Sequence, residues 1–156
     1  MNIYSLLTEE TILTDMRVKD KEALLNRLID LLSDQVTDKQ LSAIRSAVFE
    51  REKIMSTGVG KGLAIPHGKS AEIDTNYASF ATLAEPIQYD SIDEKPVEVV
   101  FLLVGPESKN SAHIKLLSRI SRLMNNENFR ARLNDCTTPG EIIEVFTSEE
   151  DRHFEN

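Results

Sequence analysis

Cysteine is nearly absent from this sequence: Cys136 is the only one in 156 residues. An internal disulfide is thereby excluded, as is any zinc site built from several cysteines, and the usage suits a reducing compartment. No reactive partner is written around Cys136, which reads as a packed or surface thiol. Basic clusters are missing too. With 18 Lys and Arg against 26 Asp and Glu, the net charge is −8, which argues against nucleic acid and anionic membrane surfaces as partners. No apolar run approaches bilayer-spanning length, and the N-terminal MNIYSLLTEE lacks the basic start of a signal peptide. The expected location is the cytoplasm, without membrane insertion.

Nucleotide motifs come close and fail. In STGVGKGLAIPHGKS, residues 56–70, a phosphate loop would need four residues between its first glycine and Gly-Lys-Ser. Gly62 is followed by five before Gly68-Lys69-Ser70, so the successive amides cannot curl around phosphates in the required way. The dinucleotide fingerprint fails because Leu63 stands where its third glycine belongs. No cofactor and no metal are expected. The histidine between Pro66 and Gly68 must be explained without a nucleotide.

What is present fits one soluble α/β domain over residues 1–156, with 40% hydrophobic and 28% charged residues. Leu24, Leu25, Leu28, Leu31 and Leu32 form one helical stripe behind Asp20, a plausible N-cap. Thr37 and Gln40 have capping-box spacing before a second helix, whose Leu41, Ile44 and Val48 face inward and whose end is expected near Met55. Leu63-Ala64-Ile65 reads as a short strand, Tyr77–Ala84 as another, and VEVVFLLV at 97–104 as a central strand covered on both faces. A helix from about Ser111 to Met124 follows, and Thr138-Pro139-Gly140-Glu141 opens the last one. Residues 148–156 are polar and acidic and are expected to fray, leaving His153 without a role. The alternation implies helices layered on a mixed, mostly parallel sheet.

Three side chains bear on chemistry. Leu116, Leu117, Ile120, Leu123 and Met124 follow His113 at +3, +4, +7, +10 and +11, so His113 shares the apolar face. It is either a hydrogen-bonded core residue or a donor reaching into a site. Arg51 is either a solvated surface residue or a guanidinium fork for an anion. His67 follows a strand, in what reads as a turn set by Pro66 and opened by Gly68, where ligands tend to bind. No serine, cysteine or acid is spaced around it for a hydrolytic triad. Imidazole can itself attack phosphorus, and the reaction then needs one fixed tautomer and donors for the phosphoryl oxygens. Backbone amides before His67, the Thr57 hydroxyl, Arg51 and His113 are the candidates.

These residues fall into a known pattern. The segment REKIMSTGVGKGLAIPHGK, 51–69, resembles the phosphorylation-site motif of enzyme IIA proteins of the bacterial phosphoenolpyruvate:sugar phosphotransferase system, fructose–mannitol type. Glu85-Pro86-Ile87, Tyr89–Asp93 and Pro96-Val97 with the strand after them match a second block. His113, opening HIKLLSRISRL, matches a third, with Ile114 where leucine is usual. The resemblance runs from about Leu6 to Phe146. It implies a mixed sheet of about five strands flanked by helices. It also implies that His67 accepts phosphate from the carrier protein HPr, amid Arg51, Thr57 and His113. STGVG-x-G-x-AIPHGK is most similar to the nitrogen-regulatory type, which acts on target proteins through its phosphorylation state. The absence of an attached enzyme IIB or permease segment agrees with that type. A separate sugar-specific enzyme IIA feeding an enzyme IIB is the alternative, and a non-catalytic regulatory binding module is the alternative of another class.

Overall fold

VEVVFLLVGP shows water almost no polar face, so it must be covered on both sides. The computed structural model, which describes residues 2–154, places this segment at the centre of a six-stranded sheet. The strands are β1 (Ile12–Met16), β2 (Gly58–Gly60), β3 (Leu63–Ala64), β4 (His67–Ser70), β5 (Tyr77–Ile87) and β6 (Val97–Pro106). Their order is β1-β5-β6-β3-β2, with β4 also pairing β6. The β1–β5, β3–β6 and β4–β6 pairs are parallel, while β5–β6, the longest, and β2–β3 are antiparallel. The helices are α1 (Lys21–Asp30), α2 (Asp38–Ile54), α3 (Asn110–Met124), α4 (Glu127–Asp135) and α5 (Pro139–Phe154). Among the described residues, no helix is long and apolar enough to cross a membrane.

The sheet counts six strands where five are expected because one of them is interrupted. Leu63 and Ala64 pair with Val99 and Val100, and His67 rejoins the same neighbour opposite Leu103. Between them stands Pro66, which has no N–H for a ladder; its carbonyl still accepts from Leu103 N at 3.1 Å. His67 therefore opens a strand, where the sequence suggests a turn. Gly68 is needed for packing rather than for ligand approach: a Cβ there would lie 3.1 Å from the α2 backbone at Ala47 and Val48.

Alternation along β6 divides the core in two. Val99, Phe101 and Leu103 face α3, α4 and α5, whereas Val100, Leu102 and Val104 face α1 and α2. Phe146 of α5 meets Phe80, Phe101 and Phe129 edge-on at centroid distances of 5.3, 5.7 and 5.1 Å, the arrangement favoured by ring quadrupoles. Both expected N-caps form. Asp20 accepts from Ala23 N at 2.8 Å, and Thr37 and Gln40 bond reciprocally at 3.1 and 3.0 Å.

The expected fraying from residue 148 does not occur within the described residues. α5 continues to Phe154 because Glu149 and Glu150 are buried and partnered. Glu150 accepts from Ile3 N and Tyr4 N at 2.7 Å each and from Arg119 Nε at 2.8 Å. Glu149 takes Arg132 at 3.1 Å and His153 at 2.7 Å. Residues 155 and 156 lie outside the described residues.

Phe146 is fully buried at the centre of its ring cluster. Phe146→Ala is expected to cost about 3–5 kcal/mol, read as a fall in the urea midpoint with an unchanged slope.

Candidate functional site

Three elements converge at one end of β4. α2 brings Arg51 on its last turn, β4 begins with His67, and β6 leads through a short turn into α3, whose first turn carries His113. The two imidazoles stand 5.9 Å apart between centroids, with planes tilted by 51°. A cleft of about 530 Å³ is lined by Arg51, His67, Lys69, Asn110 and His113. A second, of about 630 Å³, lies on the other side of His67 and is walled by Arg51, Met55, Thr57, Val59, Ile92 and Leu117. All four expected site residues thus border connected clefts that share Arg51 and His67.

The tautomer of His67 follows from its partner. Nδ1 lies 2.9 Å from the Ile65 carbonyl oxygen. A carbonyl only accepts, so Nδ1 carries the proton and Nε2 keeps its lone pair. Burial lowers the pKa of this ring, and the nearby Arg51 charge adds to that against the raising effect of the Ile65 bond. The neutral, nucleophilic form is therefore favoured. Arg51 donates to the Met55 carbonyl at 2.8 Å through one Nη, which anchors the side chain and leaves the rest of its fork for an anion.

His113 is 3% exposed, and neither of its ring nitrogens has a hydrogen-bond partner among the described residues. The reading as a hydrogen-bonded core histidine therefore fails, because the bonds it requires are missing. Burial first, then the His67 and Lys69 charges, push its pKa down to about 4. An imidazole kept neutral and unpartnered beside a cleft is free to donate to a ligand. Gly105 makes room for it: a Cβ there would lie 3.1 Å from His113 Nδ1.

Thr57 is in place, yet its hydroxyl is already committed. It is 4% exposed and donates to Glu52 Oε1 at 2.5 Å, with the Tyr89 hydroxyl 3.1 Å away. Nor are several of the expected loop amides free. Gly58 N bonds to Ser56 Oγ, Lys61 N to Asp93 and Ile65 N to the Thr57 carbonyl. Donors for an anion at His67 are left to Arg51 and His113, with Lys69, which donates to Asn110, at the cleft edge.

Glu52 is the residue that sequence reasoning misses. Its signal was present: buried Ile44, Val48 and Glu52 of α2 fall four apart, which places an acid on the apolar stripe of an otherwise ordinary amphipathic helix.

Residues 5–149 match the family model for the phosphoenolpyruvate-dependent sugar phosphotransferase system, EIIA 2. A nitrogen regulatory protein of Bradyrhizobium diazoefficiens is 36% identical over 133 residues, which cover 85% of this chain and 86% of that protein. The fructose-specific EIIABC component of Bacillus subtilis is 33% identical over 93% of this chain, which spans only 23% of that longer protein. The crystal structure of nitrogen regulatory protein IIA-Ntr from Neisseria meningitidis superposes with a TM-score of 0.84 at 29% identity, covering 92% of this chain and 98% of that one. The chain belongs to the type 2 enzyme IIA family of the phosphotransferase system, whose members are phosphoryl carriers.

Proposed function

We propose that the phosphoryl group is carried on Nε2 of His67 and is received from the phosphohistidine of HPr. The observation that carries this reading is a neutral imidazole with Nδ1 tied to a carbonyl and Nε2 open toward a cleft, flanked by Arg51 and an unpartnered histidine. The Nε2 lone pair forms a bond to phosphorus as the P–N bond of the donor breaks. A donor ring protonated on its other nitrogen leaves as neutral imidazole. His67 becomes the phosphoimidazolium with its Nδ1–H still on Ile65, and no proton need move. The Nδ1–H bond strengthens as charge develops on the ring. Arg51 and His113 supply donors to the phosphoryl oxygens, which is most of what such a transition state requires. Thr57 supports the wall rather than the phosphoryl group.

A carrier must also meet other proteins. Met55, Val59 and Ile92 are exposed on the rim of the second cleft, and Ile114 on that of the first, both of which His67 borders. Clustered apolar side chains around a reactive atom suit transient docking of a donor and a recipient. We favour the nitrogen-regulatory type, acting in the cytoplasm on target proteins, because the Bradyrhizobium relative and the Neisseria structure match nearly end to end. Passage to an enzyme IIB during fructose or mannitol uptake is the second reading, supported by the fructose-specific relative.

Incubation with phosphoenolpyruvate, enzyme I and HPr is expected to give an acid-labile, base-stable phosphoryl adduct on the wild type and none on His67→Ala. Label retained in that variant would refute the assignment. Arg51→Ala is expected to slow acceptance on the order of 100-fold, as removal of one preorganised donor does elsewhere.

His113→Leu separates function from stability. Removing a buried, unpaired polar ring should leave the fold as stable or more so, while single-turnover acceptance slows. The pH dependence has a definite sign. His113 takes its proton at about 4 when folded and near 6.5 when unfolded, so between these values the unfolded chain binds more protons. Its contribution to stability is whole above pH 6.5 and is lost as the pH falls toward and through 4. Urea midpoints measured across that window should slope less in His113→Leu than in the wild type.

A further inference from the structure

The carboxylate of Glu52 is saturated. Oε2 accepts from Thr57 N at 2.7 Å and pairs with Lys21 Nζ at 2.9 Å. Oε1 accepts from Thr57 Oγ at 2.5 Å and from the Tyr89 hydroxyl at 3.3 Å. Lys21 lies 4.3 Å over the Tyr89 ring and donates to the Tyr89 carbonyl at 3.3 Å. Burial, and then the Glu52 charge, push the Tyr89 phenol well above its ordinary pKa, so it remains a donor. Four donors on one buried acid exceed what holding a helix end requires.

The contacts continue in one direction. Thr57, gripped by Glu52 through both its N–H and its hydroxyl, accepts from Ile65 N at 3.0 Å through its carbonyl. Ile65 accepts from His67 Nδ1 at 2.9 Å through its own. Position is what passes along this path, because in Thr57 and again in Ile65 the N–H and C=O belong to different peptide planes. Fixing Thr57 fixes Ile65, and fixing Ile65 decides where the carbonyl waits for the ring.

We propose that Glu52 is a positioning residue for phosphoryl transfer, holding the tautomer and orientation of His67 through Thr57 and Ile65; this rests on the reading of His67 as acceptor. An indirect path has a physical advantage. A carboxylate bonded straight to Nδ1 would set a full negative charge beside an incoming dianionic group and favour the imidazolium beforehand. A carbonyl orients the ring without that charge, and Lys21 neutralises Glu52 behind it. Buried ion pairs seldom repay their desolvation in stability and are kept where they specify one arrangement.

The test is Glu52→Gln, alone and with Lys21→Met so that no cation is left unpaired. In the wild type, long-range ¹H–¹⁵N spectra of the histidines should show Nδ1 of His67 protonated and Nε2 bare. In the folded variants these two signals should move toward the average of both tautomers while those of His113 stay put. Single-turnover acceptance from phosphorylated HPr should fall about tenfold or more, as when a supporting residue behind a ligating or reacting group is lost. A folded variant with an unchanged His67 tautomer and an unchanged rate would overturn the proposal. Loss of folding in both variants would also overturn it, by showing a purely structural role. If the wild type took no phosphoryl group at all, the functional reading would fail, while the tautomer signals would still test the clamp.

Discussion

One hydrogen bond, from Nδ1 of His67 to the carbonyl of Ile65, governs how this site can work. Without it either nitrogen could carry the proton, and part of the population would present an N–H where the proposed reaction needs a lone pair. β3 and β4 are two pieces of one line beside β6, parted at Pro66. Along extended backbone successive carbonyls point to opposite sides: that of Pro66 accepts from Leu103 N on β6, and that of Ile65, whose N–H bonds Thr57 on the other side, meets the ring two residues later.

Electrostatics bear on the same ring. A chain of net charge −8 repels a phosphoryl group at long range, so attraction must be local. Arg51 and Lys69 line the cleft beside His67, placed to supply it in the proposed reaction at short range, where salt screens least. Their charges also disfavour a proton on His67, and burial does so more strongly. On the proposed reading, the groups that attract the phosphoryl oxygens thereby help to keep the nucleophile unprotonated.

Much of this was legible in the chain itself. Helix periodicity brought out α1, α2, α3 and the buried side of His113, and the apolar run at 97–104 marked the central strand. Those signals are local, and local patterns survive folding. What could not be read depends on partners distant in sequence. Pro66 and Gly68 carry turn chemistry, yet β6 pairs with their neighbours and makes a strand of them. The acidic end of α5 looks frayed until Ile3, Tyr4 and Arg119 arrive from elsewhere to bind Glu150. β1 is short, and α4 buries only Phe129 and Leu133, too few positions to announce a period. The Thr57 hydroxyl resembled a free donor because Glu52, five residues earlier, looked like a polar residue at a helix end.

The contrast between Glu52 and His113 completes the physical picture. Both are buried polar groups at one site, and their treatment is opposite. Glu52 has every acceptor position filled, whereas His113 has neither nitrogen bonded. Leaving a buried imidazole without partners costs stability, and a fold able to complete Glu52 and Glu150 could have completed His113 as well. Two kinds of group are therefore present. On the proposed reading, those that must not move are saturated, and the one that must form a new bond when a ligand arrives is left open. His113 and His67 line the same cleft, with their ring centroids 5.9 Å apart. In the proposed reaction a phosphoryl group, with acceptor oxygens for the one and an electrophilic centre for the other, satisfies both at once.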